Sequence, residues 1–586
     1  MPLGRWSRTN LTVLATLLWL SRGLIAPLIW SYSSQDNLGD AVEASTSEAF
    51  AITHPIVLSA KPLVRIDRGL ALFVDSSGNP LPPGSLTPAT NGNIRLFNAS
   101  ISVGTTSEPT PRHAGDVAEG VSPLAAALAD LRFDSLLIRR STIFLAMPGE
   151  AREAITDVKA EVSLRRRGQV SVKGEGKVRG QPVSLNVGAS PGQAEKLANG
   201  QIRSPFRFAM KGPNVEAAFD GRLVDSAGAL SLEGPGELSL VGARPVARWL
   251  GAYWPSASGM RNISVRGQIM LNRDALTFDK AVVRMDGNEG AGVLAMRFGA
   301  TRPLISGTLA YRSLDIAPYL MAAADAASVA SPSWSSVAVA PLTVPLGRHL
   351  DADVRISADR VLVHKLDLGP TATTLALKDG RMLADITGIA FNGSEGGGQI
   401  TADFNGPLPR VTMRGKFDNV DFAQWSATLG TPPMLQGKAS FMADVTGSGA
   451  RLQDVLESLS GKIAIRSQGA GRLALDIPAL LAAAKLNETV EWKSLAGSRG
   501  ATAYDAADVR LVLRDGTLLT DMVEVRGPDG IWIATGIANV LSNRIDMRLS
   551  HSPPTAPNAP ASFAPAAVLE INGSLTEPRF RADQGR

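Results

Sequence analysis

The chain contains no cysteine. Disulfides, thiol nucleophiles and cysteine metal sites are excluded in one step, and the absence is compatible with any compartment, including an oxidising bacterial periplasm. Aromatic residues make up only 5% of the 586 positions, so a core has to be assembled from Leu, Val, Ile and Ala. Histidine is scarce as well: His54, His113, His349, His364 and His551 stand at no i, i+4 or metal-finger spacing. Beyond residue 30 no run of about 18 apolar residues occurs, so that part of the chain offers no second membrane-crossing helix. Neither sign of charge dominates: 59 basic and 54 acidic residues leave a net +5, and they are interspersed. The most basic stretch, "RRRGQVSVKGEGKVRG" from Arg165 to Gly180, alternates apolar and polar residues. It reads as the polar face of a hairpin turning at Gly174–Gly176, and no nucleic-acid partner is expected.

What the chain does have is an amino terminus suited to export. Arg5 and Arg8 precede "LTVLATLLWL", and "LIAPLIW" follows after a short break. One reading is a signal-anchor helix over Leu11–Trp30, 20 residues long, close to the thickness of a bilayer core. Arg22 counts against it, at roughly 3 kcal/mol near a helix centre unless it snorkels. The other reading is a cleaved signal peptide with Leu11–Leu20 as its apolar stretch. No small-x-small cleavage site follows at once, which favours the anchor. In both readings the basic flank stays in the cytoplasm and the rest is translocated.

From about residue 60 the dominant period is two, and the turns carry glycine. "DVRLVLRDGTLLTDMVEVRGPDGIWIATG", Asp508 to Gly536, reads as strand, Asp-Gly turn, strand, Pro-Asp-Gly turn, strand. Asp-Gly between alternating runs favours a hairpin, because both residues tolerate positive φ. The 57 glycines and 37 prolines suit a chain with many such turns. The chain also repeats itself: "LALKDGRMLAD" at Leu375–Asp385 matches "LVLRDGTLLTD" at Leu511–Asp521, 136 residues on. A looser copy is "VVRMDGNEG" at Val282–Gly290. Repetition of this kind indicates stacked units sharing a core. Short helices are expected at Pro245–Trp254, Asp315–Ala330, Asp421–Leu429, Arg451–Leu459 and Asp476–Leu486. Linker-like stretches are Ser31–Phe50, Ser77–Asn93, Thr105–Val121 and His551–Pro565.

Three acidic residues sit in similar settings: "RSLDIAPYL" with Asp315, "NVDFAQWS" with Asp421 and "ALDIPALL" with Asp476. Each precedes an expected helix, where a carboxylate accepts hydrogen bonds from the first free N–H groups, worth about 1 kcal/mol. Helix capping is therefore the role expected of them, ahead of catalysis or metal binding. "GEGKVRG" lacks the glycine spacing of a phosphate loop, and no G-x-S-x-G elbow is present. An enzyme is not expected, nor a cofactor, nor a metal.

The repeated "P-x-[IV]-x-G-x-L" and "LD-Φ-x-x-Φ" units, the "L-x-L-x-D-G-x-L" hairpins and a closing "INGSLTEPRF" resemble the AsmA family of bacterial envelope proteins. The match is strongest over about Ser204 to Arg581, and Phe133–Leu164 is similar to that family's amino-terminal hairpins. The Arg-interrupted apolar segment departs from the family's cleaner anchor. The resemblance implies a protein of the bacterial inner membrane, single-pass, with its bulk in the periplasm. It implies a role in outer-membrane biogenesis and phospholipid movement, related to TamB and to chorein-type bridge-like lipid transfer proteins. Phospholipid and the inner membrane are then the expected partners, with outer-membrane or other envelope proteins beside them. The alternative is a scaffold that influences outer-membrane protein assembly or targeting to membrane without carrying lipid.

The expected fold is mainly β: a long curled antiparallel sheet forming a groove or gutter of hairpins, with short capping helices and one amino-terminal transmembrane helix. The expected divisions are 1–30 basic flank and anchor, 31–60 linker, 61–203 hairpin region, 204–550 repeated β region, 551–566 Pro-rich linker and 567–586 final strand and tail. A sheet with one apolar face needs something to cover it. The same-face sets Ile463/Ile465, Val509/Leu511/Leu513, Val523/Val525 and Ile545/Met547/Leu549 are the candidates to line a lipid groove. The competing expectation is that they pack against short helices or a second sheet.

Overall fold

A computed structural model describes residues 50–52, 56–60, 63–75, 80, 93–104, 134–146, 153–165, 169–190, 193–226, 229–249, 259–298, 302–320, 350–363, 366–391, 393–424, 435–473, 476–477, 479–480, 482, 490–491, 501–539, 542–553, 567–574 and 577–582. The anchor or signal segment, most of the linkers, and His54, His113, His349 and His364 lie outside these. No helix among the described residues is long and apolar enough to cross a membrane. The fold is mainly β, with few helices and a large mixed sheet that is not closed into a barrel. The chain divides into two compact units, the first holding the residues up to Trp254 with Met260–Asp286 and Gly292–Thr301, the second holding Pro255–Gly259, Gly287–Ala291 and Arg302–Arg586.

In the first unit successive strands lie side by side in chain order. Leu63–Val74 pairs with Asn93–Gly104, then come Ser135–Ala146, Glu153–Arg165, Gln169–Val178, Gln181–Ala189, Ile202–Gly212, Val215–Ser226, Ala229–Val241, Asn262–Leu271 and Ala275–Met285. All are antiparallel except Asn93–Gly104 with Ser135–Ala146, which run parallel. Cross-strand partners share a face, so the register traces rows across the sheet. One row is Ala71, Leu96, Ile138, Ala160, Gly174, Leu185, Met210, Ala217, Leu238, Val265 and Val283, without a polar side chain. Residues of this face form a buried core that includes Ile66, Leu96, Phe206, Phe208 and Phe219, and Val246 of the helix Ala243–Trp249 joins it.

The expected turn at Gly174–Gly176 is not there. The strand Gln169–Val178 runs straight through both glycines, and the chain turns at Arg179–Gly180 with φ of 48° and 79°. Both glycines lie on the core face, where an added Cβ would come within 3.1 Å of Ala160 and 3.0 Å of Ile155. They are small because the next strand is close, not because the backbone reverses.

The second unit repeats the plan. Leu304–Tyr311 runs parallel to Asp351–Ala358. From there Thr371–Lys378, Arg381–Phe391, Ser394–Asp403, Arg410–Asp421, Lys438–Ser448, Ser460–Ser467, Ala506–Arg514, Thr517–Gly527, Gly530–Asn539, Arg544–Ser552, Ala567–Ser574 and Pro578–Ala582 follow as antiparallel neighbours. Asp379–Gly380 and Asp515–Gly516 form the expected turns, all four residues at positive φ. His551 lies within the strand Arg544–Ser552, so that strand extends into the stretch expected to be linker. Ala243–Trp249 begins two residues before Pro245, Ala317–Leu320 and residues 422–424 are helical up to the limit of the described residues, and Leu452–Glu457 is shorter than expected. Pro245 lies inside the first of them, and Asp315 and Asp421 end strands.

The packing exposes a second repeat with an offset of 106 residues. "DGNEGAG" from Asp286 corresponds to "NGSEGGG" from Asn392, and Tyr311 and Asp315 correspond to Phe417 and Asp421. The correspondence holds in space: a Cβ at Gly290 would lie 2.5 Å from the Tyr311 ring, and one at Gly396 would lie 2.3 Å from the Phe417 ring. In both copies an aromatic ring lies over a glycine.

Candidate functional site

The second unit's register places all ten nominated side chains on one face. One row reads Val354, Leu375, Ala384, Ile400, Met413, Val445, Gly461, Leu513, Leu518, Ala538 and Ile545. The next reads Ile356, Thr373, Ile386, Gly398, Gly415, Ala443, Ile463, Leu511 and Thr520. A third joins Phe417, Phe441, Ile465, Val509 and Val523. Val525 stands opposite Trp532, and Met547 and Leu549 opposite Gly536 and Ala534. No charged side chain occurs in these rows.

Charge is confined to the opposite face. There the parallel row is Thr374, Asp385, Gln399, Arg414, Asp444, Lys462 and Val512. Arg414 pairs with Asp444 at 3.1 Å, Arg381 with Asp403 at 3.0 Å, and Asp508 takes both Arg510 at 3.0 Å and Arg466 at 3.2 Å. Arg510, then Arg466, hold the Asp508 carboxyl below its ordinary range. These are surface pairs, each worth little alone.

The nominated residues differ in what covers them. Val525 and Leu549 are buried in a cluster with Ile477, Leu480, Trp532, Leu569 and Phe580, and Val523 and Met547 pack against it. Leu513 is buried as well. Ile463, Ile465, Val509, Leu511 and Ile545 are half-buried and belong to no buried cluster. Met413, in the row of Leu513, is 45% exposed. The sequence reading missed the amino-terminal part of this face, Val354, Leu375, Ile400, Met413, Phe417 and Phe441. Register shifts between Ala372 and Thr373, between Ile386 and Ile389 and between Phe417 and Val420 break the alternation there. The glycines at 396, 398 and 415 remove the apolar side chains that would have signalled it.

The three acidic corners have local partners. Asp315 Oδ1 accepts from the Ala317 N–H at 2.9 Å, Asp421 Oδ1 from Ala423 at 3.0 Å and Gln424 at 3.2 Å, and Asp476 Oδ1 from Ala479 at 2.9 Å. A buried polar side chain holds each corner from another strand. Asn288 bonds both backbone groups of Asp315, the Ser394 hydroxyl donates to the Asn419 carbonyl at 3.3 Å, and the Thr502 hydroxyl accepts from the Ile477 N–H at 3.0 Å. Among the described residues no group of three His, Asp or Glu side chains is placed to hold a metal ion.

No protein-family model, no curated protein and no solved structure matches the chain.

Proposed function

We propose that the chain is an AsmA-like protein of the bacterial envelope. Its amino-terminal segment holds it in the inner membrane, its bulk stands in the periplasm, and it supports outer-membrane biogenesis by carrying phospholipid along the apolar face of the second unit's sheet. The observation that carries this reading is that face: rows without charge cross strand after strand, half-covered between Asp351 and Arg514, while the ion pairs Arg381–Asp403, Arg414–Asp444 and Arg466–Asp508 lie on the other side.

The physical account needs no nucleophile, base or metal. Covering apolar surface releases about 0.8 kcal/mol per methylene, so a chain of about 16 carbons gains roughly 12 kcal/mol before entropy costs. Gly415 leaves room on the middle of the face, because a Cβ added there would meet nothing closer than 3.7 Å. The head group stays in water. The Asp-capped corners place short helices at strand ends, and they act in the architecture rather than in chemistry.

The test is retained lipid. Full-length protein purified in detergent carries more phospholipid than the variant Leu511→Asn at equal folding, because both share the anchor and differ only in the face. Equal lipid content in the two refutes carriage.

A second reading has its own observation. Val525, Leu549, Trp532 and Phe580 already form a closed core with Ile477 and Leu480. If the whole face is structural core, the protein is a non-enzymatic scaffold for outer-membrane protein assembly or targeting to membrane. Polar substitutions then impair activity only in proportion to lost stability.

A further inference from the structure

The strands Ser460–Ser467 and Ala506–Arg514 are direct antiparallel neighbours, with Arg466 opposite Asp508 and the Ala507 N–H donating to Ser467 Oγ at 2.8 Å. Such neighbours need only about two to five residues between them. Here the chain leaves at Gln468 and returns at Asp505. At the root of this excursion Gly471–Leu473 pairs with Leu435–Gln436 and with Thr502–Tyr504, and the Tyr504 hydroxyl donates to the Gln436 carbonyl at 2.9 Å. Further on, Ile477 and Leu480 are buried in one cluster with Ala507, Val525, Trp532, Leu549, Leu569 and Phe580, one residue from each strand between Ala506–Arg514 and Pro578–Ala582. Beyond them Val490–Glu491 pairs with Arg579–Phe580 of the last strand. The covered strip is the carboxy-terminal part of the second unit's apolar face, where Val523 and Met547 also pack.

We infer, on the reading that this face carries lipid, that Ile477, Leu480 and Val490–Glu491 belong to a displaceable strap and that the strip beneath them is a second acyl-binding segment. The root is held by a three-stranded sheet and by the Tyr504 ring, which lies close against Gly471. The far end is held by a ladder of two residue pairs. Between the two, Ile477 and Leu480 hold the strap to the face by apolar contact, which is non-directional. An acyl chain covers the same side chains that they cover, so exchanging one cover for the other leaves little apolar surface in water. The charged residues of these strands give the strap no tie, because Glu524 pairs with Arg526 and Arg548 with Glu570 on the opposite face.

The test exploits the absence of cysteine. Residues opposite each other in an antiparallel pair have Cα atoms about 4.5–5.5 Å apart, within the span of about 4.4–6.8 Å that a disulfide bridges. Glu491→Cys with Arg579→Cys therefore gives a lock that oxidation closes and dithiothreitol opens, with no other thiol to compete. The full-length double variant carries a photoreactive amino acid in place of Met547 or, separately, of Met413, and is irradiated in vesicles of phosphatidylethanolamine and phosphatidylglycerol. Lipid adducts form at both positions in the reduced protein, and oxidation abolishes the adduct at 547 while leaving that at 413. Leu480→Ala, which trims the cover without the lock, raises the adduct at 547 relative to that at 413. An adduct at 413 with none at 547 in the reduced protein overturns the inference, because the strap is then a fixed wall. So does an adduct at 547 that closing the disulfide or Leu480→Ala leaves unchanged, and the lipid reading survives both results. Absence of adducts at both positions removes the lipid reading, and the strap's role with it.

Discussion

Asn288 grips Asp315 by both of its backbone groups. The Asp315 N–H donates to Asn288 Oδ1 at 2.7 Å, and Asn288 Nδ2 donates to the Asp315 carbonyl at 3.0 Å and to the Tyr319 hydroxyl at 3.1 Å. Asn288 is buried and opens the strand that follows the Asp286–Gly287 turn. It ties that turn to the strand-to-helix corner 27 residues later. Asn288→Leu leaves both Asp315 groups without their partner, at a cost of about 2–3 kcal/mol. Urea unfolding checks this, with Asn288→Asp as the near-isosteric control that keeps one acceptor.

The aromatic-over-glycine pairs predict a second stability effect. At Gly396 an added methyl meets the Phe417 ring at 2.3 Å and the Lys416 carbonyl at 2.6 Å. Gly396→Ala destabilises by about 1–3 kcal/mol, and Gly290→Ala acts similarly through Tyr311. Gly388, where nothing lies within 4 Å, accepts alanine with little change in the unfolding midpoint.

Stability and lipid retention separate along one face. Leu549 is buried in the carboxy-terminal cluster, so Leu549→Ala costs about 2–4 kcal/mol. Leu511 is half-buried in no cluster, so Leu511→Ala costs less, yet it lowers retained phospholipid more. Thermal melts and lipid quantification on the two variants give opposite rankings. Identical rankings favour the scaffold reading.

The pH dependence follows from Asp508. Arg510 and Arg466 depress its carboxyl below the ordinary value of 3.8, so the carboxylate stabilises the fold above that value. The contribution is lost as pH falls through the depressed value, where the proton enters. Because the pairs reach solvent, the effect is under about 1 kcal/mol and shrinks in salt. Asp508→Asn removes part of the loss of melting temperature between about pH 5 and pH 2. The removed part is larger at low ionic strength than at high.

Much of this architecture is legible in residues. Asp-Gly at 379–380 and 515–516 dictates tight turns, and strict alternation from Val509 to Leu513 assigns a face. The local setting of Asp315, Asp421 and Asp476 points to caps, and each carboxylate accepts an N–H of the segment after it. Three features resist such reading. Gly174 and Gly176 look like a turn because the sequence does not reveal that Ala160 and Ile155 press against them. The parallel pairs, Asn93–Gly104 with Ser135–Ala146 and Leu304–Tyr311 with Asp351–Ala358, carry no turn signal because their partners are distant. Bulges within the strands Arg381–Phe391 and Arg410–Asp421 reset the alternation, so half of the apolar face is visible only in the register.

The central claim is that the charge-free face of the second unit touches lipid. Met413 is on that face, 45% exposed, and Asp385 is on the charged face two strands away. A photoreactive amino acid placed at each position in the full-length protein, irradiated in intact cells, distinguishes the two faces directly. The account predicts a phospholipid adduct, identified by mass spectrometry, at position 413 and none at 385. No adduct at 413, or equal adducts at both, contradicts it.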